Sequence, residues 1–432
     1  MGTIDDKRLY SAYFIQLQCS NMRAKVFLCI SLVYVMAFLS SCKVSRIGKS
    51  GTSNVSYITV KDAPFFPIAM YTWCADIVTD KKGLELDILK SAGFNLIDVK
   101  FKDTARNKYL EFMDQCNSRN IKVIVEGNTE EKTRGFNDPF FFKSIINNYT
   151  SHPSLFGYSI SDDANNGKYP ISNLLALDSR IKKWDANAHY TLCSTYPRYK
   201  RADERGVNPA AFFGVTDLLF FQTYPIGGWA QYSDPPEFTP AEELYQNEVD
   251  CFTLQAHNKD DRPWVTTPQT FSWSFFHKNR EKRLPSKDEL RNIVYVALNN
   301  GAKGVIYYEF HIPADTATKR PEIKLYNNDS LWNQIKIINA ELDVMKEVYM
   351  LGKRTKLTTV SWTSASYWTY KKATYIVVAN LHKTALQSVE YAIPASGVLS
   401  NVFADQPGTL SYANGKLSGQ IAPKHVQVYK IN

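Results

Sequence analysis

Two adjacent carboxylates, Asp162 and Asp163, follow an uncharged run that extends from Leu155 to Ile160. A run of apolar and small residues of this length is typical of a buried β-strand, so the two acids come where the strand ends. Two carboxylates this close cannot both ionise freely, and one of them is expected to keep its proton at a raised pKa. Such a carboxyl group is a usable general acid. The alternative interpretation is an acidic turn or a cap for the next helix.

Apolar segments alternate with helical patterns between residues 55 and 352, and they predict the strands that position this pair. Eight such repeats over about 250 residues predict parallel pairing in a (β/α)8 barrel. A doubly wound open sheet is the alternative, but no glycine-rich phosphate loop follows the first strand. The predicted strands are FPIAMYTW, NLIDVKF, IKVIVEGN, LFGYSIS, HYTLCSTYP, LLFFQTYPI, WVTTPQTF and GVIYYEF.

Polar and aromatic side chains end several of these strands, at the edge where barrels of this kind carry their chemistry. Carboxyl pairs do acid–base work, amides bind hydroxyl groups and aromatic rings stack on sugars, so the set favours a glycan-handling site. Glu309, at the end of strand eight, joins the acid pair as a candidate catalytic residue. The candidate substrate-binding residues are Trp73, Glu126, Gln222, Tyr224, Gln269, Trp273, Tyr308 and His311.

Side-chain alternation in strand four predicts different surroundings for the two acids. The small residues Gly157, Ser159 and Ser161 share one face with Asp163, which is therefore expected to point into the barrel mouth. The other face carries the bulky residues Phe156, Tyr158 and Ile160, which are expected to pack against the helices, and it ends in Asp162, beside Asp163 at the lip.

The same segments resemble bacterial barrel proteins of the glycoside hydrolase superfamily, over most of residues 55–432. The resemblance implies a barrel followed by a β domain, activity on a glycan, and Asp163 in the place of the acid/base glutamate of strand four. The stretches that carry it are YITVKDAPFFPIAMYTW, HPSLFGYSISDDAN, DLLFFQTYPI and RLPSKDELRNIVYVALNNGAKGVIYYEF.

Two departures from the family pattern leave three routes open. Strand four ends in Asp-Asp rather than Asn-Glu, and Gln269 stands where double-displacement enzymes carry a nucleophilic glutamate. In one route, as in hexosaminidase families, the substrate's acetamido group attacks; Asp162 orients it, Asp163 protonates the leaving oxygen and Tyr224 assists. In the second, Glu309 is the base of an inverting reaction. In the third, the site is a degenerate glycosidase barrel that binds glycan without turnover.

The chain from residue 353 to 432 alternates apolar and polar residues between turn signals, which predicts a small antiparallel β-sandwich-like C-terminal domain. The net charge of +9 is scattered rather than massed in a stripe, so nucleic-acid binding is not expected. The cysteines show no metal-ligand spacing, and we expect neither a metal nor another cofactor.

The N-terminal region has the order of an export signal: basic residues, a short apolar stretch and LSSC, which resembles the lipobox of bacterial lipoproteins. We expect Met22 as the start, residues 1–41 as the signal region, lipidation at Cys42 and a linker over residues 42–54. The expected location is the bacterial envelope, with a lipid anchor in the outer membrane because Lys43 rather than Asp follows Cys42. The expected partners are an oligo- or polysaccharide and components of a glycan-uptake system.

Overall fold

The computed structural model describes one folded unit within residues 46–432. Cys42 and Trp73 lie outside the described residues. Among the described residues, no helix is both long and apolar enough to cross a membrane. The described residues are 47–49, 56–72, 76–101, 106–127, 141–167, 169–197, 207–227, 242–275, 283–312, 314, 322–358, 362–406 and 408–432.

The central element is a closed barrel of eight parallel strands, as predicted. Each strand is short, largely uncharged and buried on both faces, which is the pattern that parallel sheets covered by helices require. The last strand pairs with the first, so the sheet has no free edge. The barrel strands are β4 (Ile68–Thr72), β5 (Leu96–Phe101), β6 (Lys122–Gly127), β7 (Leu155–Ser161), β8 (Tyr190–Thr195), β9 (Leu218–Thr223), β10 (Trp264–Pro268) and β11 (Val305–Tyr307).

Helices surround the barrel and bury their apolar faces against it. Ser286 caps the helix before β11 through a complete capping box with Glu289, three residues later in the sequence. Between β8 and β9 the described residues hold a 3-10 turn, Pro209–Phe212, rather than an α-helix. The α-helices are α1 (Asp76–Thr79), α2 (Leu84–Ser91), α3 (Arg106–Ser118), α4 (Phe141–Tyr149), α5 (Ile171–Trp184), α6 (Glu243–Ala256), α7 (Lys287–Asn299) and α8 (Asp329–Leu351).

A small sheet closes the amino-terminal end of the barrel. It consists of β1 (Ile47–Lys49), β2 (Ser56–Val60) and β3 (Ala63–Pro64). Ile58 packs into the barrel interior, and the hydroxyl of Tyr190 donates to the carbonyl of Thr59 and accepts from its N–H, both at 3.0 Å. These contacts seal one end of the barrel with apolar side chains and leave the carboxyl ends of the strands for the polar ones.

Strand β7 departs from simple alternation at Phe156. The register with β6 shifts between Val123 and Ile124, so Phe156 is an extra residue opposite the neighbouring strand. The prediction that Phe156 faces the helices is therefore wrong: its ring lies in the barrel interior, 4.8 Å from that of Tyr190. The next position, 157, requires glycine, because a Cβ there would lie 2.4 Å from the carbonyl oxygen of Tyr190.

Antiparallel sheets follow the barrel, which confirms the predicted fold class. The C-terminal strands are β14 (Lys353–Lys356), β15 (Thr363–Tyr370), β16 (Ala373–Asn380), β17 (Gln387–Ala392), β18 (Leu399–Asn401), β19 (Ser411–Ala413), β20 (Lys416–Ile421) and β21 (Val426–Ile431). The first sheet has the order β14-β15-β16-β21-β18 and the second β17-β20-β19, and side chains from both share one core. A two-stranded sheet of β12 (His311–Ile312) and β13 (Ile323–Lys324) precedes them at the barrel rim.

Candidate functional site

The two adjacent acids lie at the carboxyl end of β7 and are held by residues from the next two strands. The hydroxyl of Ser194, on β8, donates to Asp162 Oδ1 at 2.6 Å and accepts the backbone N–H of Asp163 at 2.8 Å. The side-chain amide of Gln222, on β9, donates to Asp163 Oδ1 at 2.8 Å and approaches the Ser194 hydroxyl at 3.3 Å. Side chains from β8 and β9 thus hold the two acids of β7 in one hydrogen-bonded network.

The turn after β7 sets the direction of both acids. Asp163 has a left-handed backbone with φ of 49° and leads into the 3-10 turn Ala164–Asn166. Buried Asn165 secures this turn by donating to the carbonyl oxygen of Tyr196 at 2.8 Å and accepting from its N–H at 3.2 Å. Asp162 is exposed, whereas Asp163 is half-buried.

Both acids face the mouth, which strand alternation did not predict. The register of β7 with β8 shifts between Ser159 and Ser161, and the chain leaves the extended conformation at Asp163, so simple alternation no longer assigns the faces of the two acids. The contact of Asp162 with Ser194 turns its carboxylate toward the axis, where its charge reaches Tyr71, Tyr224 and Tyr308.

A group of five aromatic residues, here named the aromatic cluster, lines the mouth beside the acids. Tyr224 and Tyr308 have ring centroids 5.7 Å apart. The indole N–H of Trp273 donates to the carbonyl oxygen of Tyr224 at 3.4 Å, which joins the segment after β10 to that after β9. The cluster contains three predicted residues and two that the sequence reasoning missed: Tyr71, Tyr224, Phe271, Trp273 and Tyr308.

The three tyrosines of the aromatic cluster stay protonated over the physiological range. Burial first, and then the charges of nearby acids, raise the pKa of Tyr71, Tyr224 and Tyr308 well above the ordinary tyrosine value. Asp162 contributes to the raised pKa of all three. A phenol in this state donates hydrogen bonds, so the cluster can present both flat apolar rings and O–H donors to a ligand.

Glu309 follows β11 and approaches the aromatic cluster from the other side. It is 2% exposed, and it hydrogen-bonds the hydroxyl of Tyr308. Its charge also contributes to the raised pKa of Tyr224. Asp162, which follows β7, and Glu309, which follows β11, therefore both raise the pKa of Tyr224 and Tyr308.

Two further predicted substrate-binding residues, Glu126 and His311, contact other side chains of the protein. Glu126 is 1% exposed, with Oε1 3.7 Å from Lys100 Nζ and 3.5 Å from the Tyr71 hydroxyl, so it belongs to the floor. His311 is buried in the β12–β13 hairpin, and its Nε2 lies 2.5 Å from Glu322 Oε1. These positions give both residues partners within the protein.

Gln269, a predicted substrate-binding residue, uses its side-chain amide to contact backbone groups of two loops. It is fully buried, and its oxygen accepts the N–H of Ile226 at 2.9 Å. Both hydrogens of its amide are used, since the nitrogen donates to the carbonyl oxygens of Ile226 and Phe271 at 2.9 Å each. Its amide holds together the two loops that carry Tyr224 and Trp273.

Metal-ligand groups and thiols give no second candidate site in the described part of the chain. No group of three or more His, Cys, Asp or Glu side chains there is arranged to hold a metal ion. Cys116, Cys193 and Cys251 are buried thiols without a disulfide, and burial raises the pKa of each. Among the described residues, the acids and the aromatic cluster therefore form the candidate site.

Comparison with known proteins relates the chain to others through its fold. No protein-family model and no curated protein matches the sequence. An Anoxybacillus alpha-amylase, described as a new glycosyl hydrolase subclass, superposes with a TM-score of 0.52 at 13% identity, covering 82% of this chain and 90% of that one.

Two further solved structures agree with this result. The Geobacillus thermoleovorans alpha-amylase complexed with acarbose has a TM-score of 0.52 at 12% identity and covers 84% of this chain and 96% of its own. The alpha-amylase from H. orenii has a TM-score of 0.52 at 11% identity, with 87% and 97% covered. At these identities the likeness shows the fold: the chain has the (β/α)8 barrel and C-terminal β region of these glycoside hydrolases.

Proposed function

We propose that the protein is a glycoside hydrolase that cleaves an oligo- or polysaccharide at the barrel mouth, with Asp163 as the general acid. The observation that carries the proposal is the pair Asp162–Asp163, each acid fixed by its own donor beside the aromatic cluster. Neighbours solved with acarbose and with maltotriose support an oligosaccharide as the ligand.

The two acids have different surroundings. Asp162 is exposed and accepts a 2.6 Å hydrogen bond from Ser194, which turns its carboxyl group toward the aromatic cluster. Asp163 is half-buried, and Gln222 holds its carboxyl group in place. We assign Asp162 to orienting the substrate, and Asp163, in the position of the acid/base residue of strand four, to protonating the leaving oxygen.

Burial of Glu309 favours the acetamido route over the inverting route. A general base must contact the attacking water, and Glu309 is 2% exposed. In the proposed reaction the acetamido oxygen of the sugar attacks its anomeric carbon, and the bond to the leaving oxygen breaks as Asp163 protonates that oxygen. Asp162 orients the acetamido group, and water then opens the cyclic intermediate. The product keeps the anomeric configuration of the substrate.

Binding without turnover is the second candidate function. It is favoured by Gln269, which stands where double-displacement enzymes carry their nucleophile and is fully engaged by backbone groups. A degenerate site of this kind binds glycan through the aromatic cluster and leaves the acids without a catalytic role.

A substrate screen separates these candidates. Chromogenic glycosides with and without a 2-acetamido group are incubated with wild type and Asp163→Asn, with affinity gels run in parallel. We expect release of the chromophore from 2-acetamido glycosides, with the initial anomer identified by NMR as retained. Cleavage with inversion would contradict the acetamido route and favour Glu309 as base. Binding without turnover, unchanged in Asp163→Asn, would establish the second candidate.

We also propose that Cys42 anchors the protein by lipid to the bacterial envelope. The support is the lipobox-like LSSC after a short apolar stretch. Replacing Cys42 with Ala should move the protein from the membrane fraction to the soluble fraction. A variant that stays in the membrane fraction contradicts the anchor.

A further inference from the structure

A buried charged cluster joins the C-terminal β region to the barrel rim. Glu243 Oε2 accepts from Arg283 Nη2 at 3.2 Å and from Lys383 Nζ. Glu289 Oε2 accepts from Arg283 Nη1 at 2.7 Å, and Glu289 Oε1 lies 3.9 Å from Lys383 Nζ. Lys424 Nζ lies 4.0 Å from the same oxygen. This rim cluster consists of Glu243, Arg283, Glu289, Lys383 and Lys424.

The rim cluster lies at the same end of the barrel as the candidate site. Glu243 is the first residue of α6, and Glu289 lies in the first turn of α7. Helices that follow barrel strands begin at the carboxyl ends of those strands, so both carboxylates stand at the rim. Lys383 and Lys424 come from turns between strands of the C-terminal sheets and reach the rim from outside the barrel.

One hydrogen bond connects the rim cluster to the candidate site. Glu243 Oε1 accepts the backbone N–H of Gly227 at 2.7 Å. The preceding residue, Ile226, is held by the side chain of Gln269, and Tyr224 lies two residues earlier. The segment Tyr224–Gly227 is thus fixed at its end by Glu243 and in its middle by Gln269.

Burial makes this connection depend on Lys383. Glu243 and Glu289 are each 3% exposed, and a buried carboxylate needs compensating charge. Burial tends to raise the pKa of Glu289, but hydrogen bonds from Arg283 and the Ser286 N–H, together with nearby positive charge, hold it below the ordinary value. Arg283 and Lys383 both contact Glu243 Oε2, and the Lys383 side chain is the less exposed of the two, at 15% against 31% for Arg283.

We propose that Lys383 is a positioning residue for the glycan site: it holds Glu243, which holds the Gly227 amide and so places Tyr224 in the aromatic cluster. The C-terminal β region then takes part in ligand binding without touching the ligand. Its relevance to glycans rests on the proposed function, but the coupling of Lys383 to the segment Tyr224–Gly227 does not.

Hydrogen–deuterium exchange on the full chain tests the coupling directly. Lys383→Met keeps the apolar stem and removes the charge, and it should speed exchange about tenfold in peptides that cover residues 218–227. Exchange in peptides covering β7 should stay unchanged. Lys383→Arg should restore slow exchange. Lys416→Met is the matched control, because Lys416 pairs with Glu390 at an exposed position of the same β region.

The possible outcomes separate the two proposals. Unchanged exchange over residues 218–227 in Lys383→Met, or an equal increase in every peptide, overturns the positioning role. If Lys383→Met does not fold, Lys383→Gln replaces it under the same criteria. With any glycoside that wild type cleaves, Lys383→Met should raise KM about tenfold and leave kcat within about threefold. Faster local exchange in a protein that cleaves no glycoside supports the coupling and contradicts the proposed function.

Discussion

The two ends of the barrel are formed by the same strands but carry different kinds of inward side chain. At the amino-terminal end, inward side chains such as Phe156, Leu192 and Phe220 pack with Ile58 of β2 into an apolar cluster. At the carboxyl end, inward positions carry ionisable groups such as Glu126, and the acid pair follows β7. The closed end stabilises the fold through burial of apolar surface, and the open end carries groups that burial makes costly.

The contacts of the polar groups also differ between the two ends, and they indicate that the candidate functional residues lie at the open, carboxyl end. The polar groups of the open end are joined across strands, as in the contacts of Ser194 with Asp162 and of Gln222 with Asp163. At the closed end, polar contacts such as that of Tyr190 with Thr59 satisfy backbone groups. Substitutions at the open end should therefore change activity more than stability, and substitutions at the closed end should do the reverse.

The largest effect is expected for Asp163→Asn. The variant keeps the shape and the acceptor for Gln222 but cannot donate a proton, so turnover of an unactivated oligosaccharide should fall by about 10²–10⁴. The melting temperature should change by less than about 2 °C, since the residue lies beyond the packed part of β7. Kinetics and calorimetry on the same preparation check both. Unfolding of the variant would identify the pair as a structural cap.

At the closed end, Phe156→Ala should lower the free energy of unfolding by about 3–5 kcal/mol, because it leaves a cavity in the barrel interior. The matched control is Phe252→Ala on α6, where the side chain is 52% exposed and the change should stay within about 0.5 kcal/mol. Urea unfolding measures both. Similar losses in the two variants would contradict the interior position of Phe156.

Lys303 gives the closed end a pH dependence. Burial lowers the pKa of this lysine from 10.5 to about 8, at the entry to β11. The folded state thus disfavours its charged form by about 3 kcal/mol below pH 8, and stability should rise as the pH increases from 8 towards 10.5. Lys303→Met should be more stable than wild type at pH 7, and its advantage should shrink by pH 10. A difference that does not vary with pH, measured by urea unfolding, contradicts this.

The smallest effect is expected for Tyr190→Phe. The change removes the hydroxyl that both donates to and accepts from Thr59, and it leaves a buried backbone N–H without this acceptor. The loss should be about 1–3 kcal/mol, with kcat unchanged because the residue lies at the end opposite the acids. Thermal unfolding and turnover, measured on one preparation, test this. A fall in kcat without a fall in stability would contradict the assignment of stability to this end of the barrel and activity to the other.

The barrel could be predicted from the sequence because its signals are local and repeated. Each strand is a short apolar run, and some helix boundaries have a signal of their own, such as the capping box of Ser286 and Glu289 at the start of α7. The error at Phe156 has a clear cause. A register shift depends on the neighbouring strand, and the local signal for it in LFGYSIS is Gly157, because an isolated glycine in a strand is typical of a bulge or a close backbone approach.

The candidate site could be predicted only in part. The sequence predicted the acid pair, Gln222, Tyr224, Trp273 and Tyr308 because they end strands or follow them, and these residues lie together at the mouth. Their roles in the site stay predictions. Ser194 and Phe271 were missed because serine and phenylalanine carry no chemical signal until neighbouring strands bring them to the mouth. Tyr71 lies two residues after Ala69 on the interior face of β4, so side-chain alternation along the strand could have predicted that it points into the barrel. The contacts of Gln269 involve backbone groups 43 residues away along the chain, which no local pattern shows.

The most direct test of the central claim is the leaving-group dependence of Asp163→Asn. Wild type, Asp163→Asn and Asp162→Asn are compared on an alkyl glycoside and a nitrophenyl glycoside of the same sugar, chosen from those that wild type cleaves. If Asp163 protonates the leaving oxygen, Asp163→Asn should lose about 10²–10⁴ in kcat/KM on the alkyl glycoside and much less on the nitrophenyl glycoside, while Asp162→Asn loses the same factor on both. Equal losses on the two substrates in Asp163→Asn would contradict its role as the general acid.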